Sequence, residues 1–171
     1  MACEILTSGV TIGCDNNMGG LNQIYITDYN NVSAYATNDS GQITGFTMVT
    51  GTTFFEYEFN RGTSEFIENE LINIENGSAY YEQMVNLVIP KRDVTKRNQI
   101  KLLAQRKLII IVKDGNDSYT VGGLGDGFLL TELTSGSGLA KADGSKYTLA
   151  FKAEEVLMAP FATAAAVTAV I

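Results

Sequence analysis

Histidine and tryptophan are absent from this 171-residue chain, and proline and cysteine occur only twice each. Without histidine the usual general base near neutral pH is missing, and so is the commonest metal-ligating side chain. Cys3 and Cys14 make neither a paired-cysteine zinc pattern nor a disulfide framework, so buried or incidental roles are expected for them. No apolar run reaches the ~20 residues of a membrane span. The tail over 159–171 is apolar but short, and Pro160 interrupts its start. The opening Met1-Ala2-Cys3-Glu4 lacks the positive region and apolar core of a secretory signal, so the sequons at Asn31, Asn38, Asn76 and Asn116 are read as chance.

Glycine is plentiful at 17, and Thr, Ile, Val, Tyr and Phe recur in short alternating runs, a composition of strands joined by glycine turns. With 45% hydrophobic residues the chain can bury one core, and one domain over 1–171 is expected, with an extended arm over 1–20 and an apolar arm over 159–171. The formal charge is −7, unevenly spread: eight of the twelve bases, Lys91, Arg92, Lys96, Arg97, Lys101, Arg106, Lys107 and Lys113, fall in one short span. Such a strip could hold nucleic acid, but a charge run is more often a solvated or subunit-contacting face.

Strands are predicted over 21–27, 32–37 and 43–49. Over 53–59, Phe55, Tyr57 and Phe59 share one face and Glu56, Glu58 and Asn60 the other. The segment over 64–89 predicts a long β-hairpin with arms 64–75 and 78–89, because Asn76-Gly77 suits a two-residue turn whose residues both need positive φ. Each arm would extend roughly 40 Å, which overhangs a small domain. A two-residue turn sets Ile74 against Ala79, Ile72 against Tyr81, Glu70 against Gln83 and Glu68 against Val85, with Glu68 and Glu70 on one face. The other face would set Leu71 against Glu82 and Asn73 against Tyr80, so neither face is a clean apolar surface. After Pro90, Asp93 or Thr95 can cap a helix reaching Ala104 or Gln105. Leu108-Ile109-Ile110-Ile111-Val112 has the composition of a strand buried on both faces, with Tyr119-Thr120-Val121 as its hairpin partner. Further strands are predicted over 128–133 and 147–151.

Gly122-Gly123-Leu124-Gly125-Asp126-Gly127 lacks the Gly-Lys-Ser/Thr ending of a phosphate loop and precedes a strand, so it is read as a plain loop. Asp114, Asn116 and Asp117 lack the spacing of a calcium loop and are read as a turn. Glu68 and Glu70 share a face as any i, i+2 pair on a strand does, and no triad, metal set or cofactor fingerprint accompanies them. An enzyme is not expected, nor a cofactor or bound metal.

The Glu65-to-Ile89 hairpin, the helix over 93–105, the 108–112/119–121 hairpin after it and the stretches 130–138, 142–144 and 147–155 together resemble the tail tube proteins of tailed bacteriophages and the related tubes of contractile injection systems. The resemblance implies a mainly β fold with one short α-helix, a β-sandwich or partly open barrel carrying a long protruding hairpin. It implies a structural virion protein whose copies form stacked rings, hexameric in that family, with an acidic lumen through which DNA passes without specific binding. Glu65, Glu68, Glu70, Glu75 and Glu82 become candidates for the lumen. Lys91, Arg92, Lys96, Arg97, Lys101, Arg106 and Lys107 become candidates for contacts between subunits, while ring stacking would use glycine-rich loops and the termini. The implied partners are further copies and the tape-measure, baseplate and terminator proteins of a tail, in the virion and, during assembly, the host cytoplasm. Alternatives are another virion part, such as a terminator, connector or head decoration protein, or a nucleic-acid-binding module using the basic strip.

Overall fold

The computed structural model describes residues 9–10 and 17–171. In chain order the elements are β1 (Leu21–Asp28), a 3-10 turn (Tyr29–Asn31), β2 (Val32–Thr37), β3 (Ile43–Met48), β4 (Phe55–Glu56), β5 (Glu65–Asn73) and β6 (Ser78–Pro90). There follow α1 (Val94–Leu103), β7 (Leu108–Asp114), β8 (Tyr119–Gly122), β9 (Leu129–Gly136), β10 (Lys146–Glu155), β11 (Phe161–Ala162) and α2 (Ala164–Thr168). The protein is mainly β. Seven strands form one sheet in the order β2-β3-β11-β8-β7-β1-β4, and four form a second in the order β5-β6-β10-β9. Neither sheet closes into a barrel among the described residues.

The two sheets pack face to face. Ile24, Ile26, Leu108, Ile110 and Val112 of the large sheet meet Val85, Leu87, Ile89, Tyr147, Leu149 and Phe151 of the small one, with Ile100 and Leu103 of α1 closing an end. On the far side of the large sheet Tyr25, Ile109, Ile111 and Val121 make a second cluster with Ile43, Phe54, Val167 and Val170. Strand β7 is therefore covered on both faces, as its β-branched run predicts. Helix α1 starts where expected: Asp93 accepts a hydrogen bond from the Lys96 N–H at 2.8 Å, satisfying one of the first-turn donors.

One expectation is corrected by this packing. The alternating segment over 53–59 contains only the two-residue β4, and Phe55 is 61% exposed. Here the chain crosses the edge of the large sheet: Phe54 is buried in the far cluster, whereas Tyr57 and Phe59 pack on the inter-sheet core. The apolar segment over 159–171 lies against the far side of the large sheet. The Thr163 hydroxyl caps α2 by accepting from the Ala166 N–H, and Phe54 N–H donates to Val170 O at 2.8 Å. Its Ala-rich stretch has high helix propensity, and the helix with the turn after it lays Ala166, Val167 and Val170 over a sheet face that would otherwise meet water. Most of the arm expected over 1–20, including Cys3 and Cys14, lies outside the described residues. Of the remainder, Met18 N–H donates to Asn116 Oδ1 and Gly20 O accepts from Gly115 N–H, which fastens this stretch to the β7–β8 turn.

Candidate assembly surface

The β5–β6 ribbon is present, but its turn differs from the predicted one. Asn73 pairs with Ser78, Ile72 with Ala79, Glu70 with Tyr81, Glu68 with Gln83 and Phe66 with Val85. The loop is therefore four residues long, 74–77, and every pair is displaced by two positions. Asn73 is the cause. Its side-chain Oδ1 accepts from the Glu75 and Asn76 N–H groups at 3.0 and 3.2 Å, starting the turn before Asn76-Gly77, and Gly77 ends it at φ 65°. Because the displacement is even, no side chain changes face.

Face parity divides the five candidate acids. Glu65 and Glu82 lie on the outer, solvated face of the small sheet, Glu68 and Glu70 on the inward face, and Glu75 in the exposed turn. Asn86 Nδ2 donates to Glu65 Oε1 at 2.8 Å. Glu82 lies 2.5 Å from the Lys152 ammonium, which also reaches Glu154 at 3.1 Å, and these hydrogen bonds push the Lys152 pKa up, Glu82 contributing most. Register places Glu132 and Glu154 on the same outer face as Glu65 and Glu82, against Lys146 and Lys152. Four acids oppose two bases there. Glu70 faces Tyr81 and raises the pKa of its hydroxyl, chiefly through its negative charge.

Glu68 belongs to an inward polar seam that the sequence reading did not identify. Gln83 is fully buried; its Nε2 donates to Glu68 Oε1 at 2.9 Å, and its Oε1 accepts from the Gly123 N–H at 3.0 Å. Ala159 N–H donates to the same Glu68 oxygen at 2.7 Å. Alongside, the buried Glu155 carboxylate accepts from the N–H groups of Gly125, Asp126 and Gly127 at 2.9, 3.0 and 3.4 Å. The glycine loop is thus an anion cradle already filled by the protein's own carboxylate, a use that its bare motif did not show. A Cβ on Gly125 would fall on Glu155 Oε2. The available signal was phase: Gln83 precedes the inward residues Val85, Leu87 and Ile89 at period two, and Glu155 continues Tyr147, Leu149, Phe151 and Ala153.

The seven candidate bases make different local contacts, and five of them, Lys91, Arg92, Lys96, Arg97 and Lys101, lie on the β6–α1 corner and α1. Lys96 Nζ donates to the carbonyls of Pro90 and Lys91 at 2.6 and 3.2 Å, holding the β6–α1 corner where Lys91 has φ 59°. Arg106 pairs with Asp28 at 2.6 Å, and the Arg92 guanidinium lies 5.9 Å from the Tyr147 ring centre. Lys91, Arg97, Lys101 and Lys107 are exposed.

Among the described residues the small sheet ends in two edge strands, β5 and β9. Neither carries a lysine or proline, the residues that commonly guard an edge, and β9 exposes Leu129 and Leu133 by about half. The described residues contain no group of three or more potential metal ligands and no helix long and apolar enough to cross a membrane.

No protein-family model matches the chain, and no curated protein matches it. Among solved structures it is similar to a chain of the virion of a native gene transfer agent particle, at 12% identity and a TM-score of 0.37, over 69% of this chain and 89% of that one.

Proposed function

We propose that this protein is a structural virion protein, a tail-tube subunit that polymerises into stacked rings and does no catalysis. The observation that carries the reading is the open four-stranded sheet: acid-rich on its outer face, with no lysine or proline on either edge strand, and prolonged by a ribbon. An edge of unpaired N–H and C=O groups pairs with another strand unless something prevents it. Joining β5 of one copy to β9 of the next is a head-to-tail contact, which closes a ring when its rotation divides a circle. Six copies would contribute about 24 strands; at ~4.8 Å per strand the wall is about 115 Å round and about 37 Å across, wide enough to pass a DNA duplex.

With the outer face turned inward, Glu65, Glu82, Glu132 and Glu154 outnumber Lys146 and Lys152 along the wall. A net negative lining repels phosphates and keeps DNA from adhering during passage. Glu68 is committed to the Gln83 seam and Glu75 to the ribbon tip, so the lumen reading falls on the outer-face acids. In this reading the partners are other copies and the tape-measure, baseplate and terminator proteins of a tail.

Electron microscopy of the purified protein, with its mass in solution, tests the proposal. Hollow rings or filaments are expected; a monomer at all concentrations overturns it. In assembled particles, Glu65→Gln with Glu82→Gln should slow DNA ejection while rings still form, and unchanged ejection removes the acidic-lumen part.

A further inference from the structure

A backbone nitrogen can attack the side-chain carbonyl carbon of a preceding Asn or Asp and close a five-membered imide. Glycine in the following position favours this, because it has no Cβ to shield the nitrogen or to restrict the backbone. The chain has four such pairs: Asn76-Gly77, Asp114-Gly115, Asp126-Gly127 and Asp143-Gly144. The fold holds three of them. Asp114 Oδ1 accepts from the N–H groups of Asn116 and Ser118, both at 2.8 Å, and Gly115 N–H donates to Gly20 O at 2.9 Å. Gly127 N–H is turned toward the Glu155 carboxylate, and Asp143 Oδ2 accepts from the Leu139 and Ala140 N–H groups. An ionised carboxylate is in addition a poor target for a nucleophile, whereas a side-chain amide is neutral.

Asn76-Gly77 is the pair the fold leaves loose. It lies at the exposed end of the ribbon. Strand β10 accompanies β6 only as far as Tyr81, opposite Glu155; beyond it, residues 71–73 and 78–80 pair with each other alone. A two-stranded stretch of this kind opens locally at little cost. Among the described residues neither the Asn76 side chain nor the Gly77 N–H has a hydrogen-bond partner; the Asn76 backbone N–H is held by Asn73 Oδ1. No atom lies within 4 Å of the place a Cβ on Gly77 would take, so nothing packs over the attacking nitrogen.

We infer that Asn76 is a site of spontaneous covalent modification, converting to aspartate and isoaspartate through attack of the Gly77 nitrogen on Asn76 Cγ. The N–Cγ bond forms, the Cγ–Nδ2 bond breaks, and the Gly77 amide proton leaves with the side-chain nitrogen as ammonia. Water then opens the imide. Cleavage at Cγ gives aspartate, and cleavage at the main-chain carbonyl gives isoaspartate, whose backbone runs through the former side chain. Both products place a new carboxylate beside Glu75, on a ribbon with no base between Arg61 and Lys91. Isoaspartate also lengthens the 74–77 loop by one methylene, which loosens the Asn73 cap on the Glu75 and Asn76 N–H groups. The ribbon end becomes more acidic and less ordered as the molecule ages, and the inference stands independently of the tube reading.

The test holds the full chain in warm, mildly alkaline buffer and follows its tryptic peptides by mass spectrometry. Isoaspartate is counted by carboxyl methylation with a protein isoaspartate methyltransferase. In the peptide covering 62–91, Asn76 should exchange its amide for a carboxyl about tenfold or more faster than any other asparagine, while Asp114, Asp126 and Asp143 form no isoaspartate over the same interval. Asn76→Gln keeps the amide but demands a larger ring; it should abolish the signal and leave the melting curve where the parent has it. An intact Asn76, over a time in which a synthetic peptide of residues 70–82 converts, shows that the folded turn blocks the attack and overturns the inference. Equal conversion at all asparagines, isoaspartate arising first at an Asp-Gly pair, or a signal that persists in Asn76→Gln overturns it as well.

Discussion

Strand β7 and the ribbon are both rich in isoleucine, yet they deal with water in opposite ways. In β7, Ile109, Ile110 and Ile111 are almost fully buried, because the small sheet covers one face and α2 with β3 covers the other. In the ribbon, Ile72 and Ile74 project past the last residue of β10 and stay exposed among the described residues. The first region is complete within one chain. The second has a fixed shape but leaves its apolar surface unspent, which is the arrangement expected where other copies complete the packing.

Ile111→Ala and Ile72→Ala give the widest separation. Truncating Ile111 removes packing on an interior strand and should cost about 2–5 kcal/mol, read as a lower denaturation midpoint in urea with unchanged slope. The same truncation at Ile72 should change the stability of the unassembled subunit by less than about 0.5 kcal/mol and show its effect only in assembly. Comparable losses at both sites would mean that the ribbon is buried against its own chain, and the contrast would fail.

What joins the two regions is the polar seam, so its removal is the next sharpest probe. Gln83→Leu leaves the Gly123 N–H and the Glu68 carboxylate short of a partner and should destabilise the subunit by about 1–3 kcal/mol. Gly125→Ala forces the Glu155 carboxylate out of its cradle and should cost a similar amount. Amide exchange tells where the loss is felt: protection should fall at the ribbon base and in the 123–127 loop while β7 keeps its own. A uniform fall would show that sheet and ribbon unfold as one unit.

The sequence made the repetitive parts of this fold legible and hid the reciprocal ones. Runs of strand-forming residues between turn residues placed β1, β2, β3 and β10, the β-branched run placed β7, and Asp93 marked the start of α1, each through a rule acting within a few residues, whereas the alternation over 53–59 did not make a long strand. The ribbon's faces were legible for the same reason, but its turn was not, because Asn76-Gly77 and Asn73 each favour a turn and only the folded loop shows that Asn73 sets the register. Among the candidate acids, parity alone separates Glu65 from Glu68 and Glu70. Which side is wet depends on the large sheet packing over the other. Gln83 and Glu155 occupy inward positions that the pattern reserves for apolar residues; their partners are backbone N–H groups 28 to 40 residues away, beyond any local rule.

The smallest expected effect belongs to the β9–β10 connection. There Asp143 Oδ2 accepts from the N–H groups of Ala140 and Leu139 at 2.7 and 2.9 Å, and these bonds, Ala140's first, hold its pKa below the ordinary 3.8. A depressed carboxyl pKa contributes stability that is present above the unfolded value and is lost as pH falls through the folded one. Protection of the Leu139 and Ala140 amides should therefore persist down to the ordinary aspartate range and fall only below it. In Asp143→Asn that pH dependence should vanish, with the melting midpoint near neutral pH almost unmoved, because the loop is exposed and its bonds compete with water. This makes the loop a control for the comparison between β7 and the ribbon. If acid frees these amides while the protection of β7 and of the ribbon base stays level, the connection titrates as a local unit. If all three fall together, the unfolding of a single cooperative body is being read, and the separation between a self-sufficient sheet and a ribbon awaiting partners is lost.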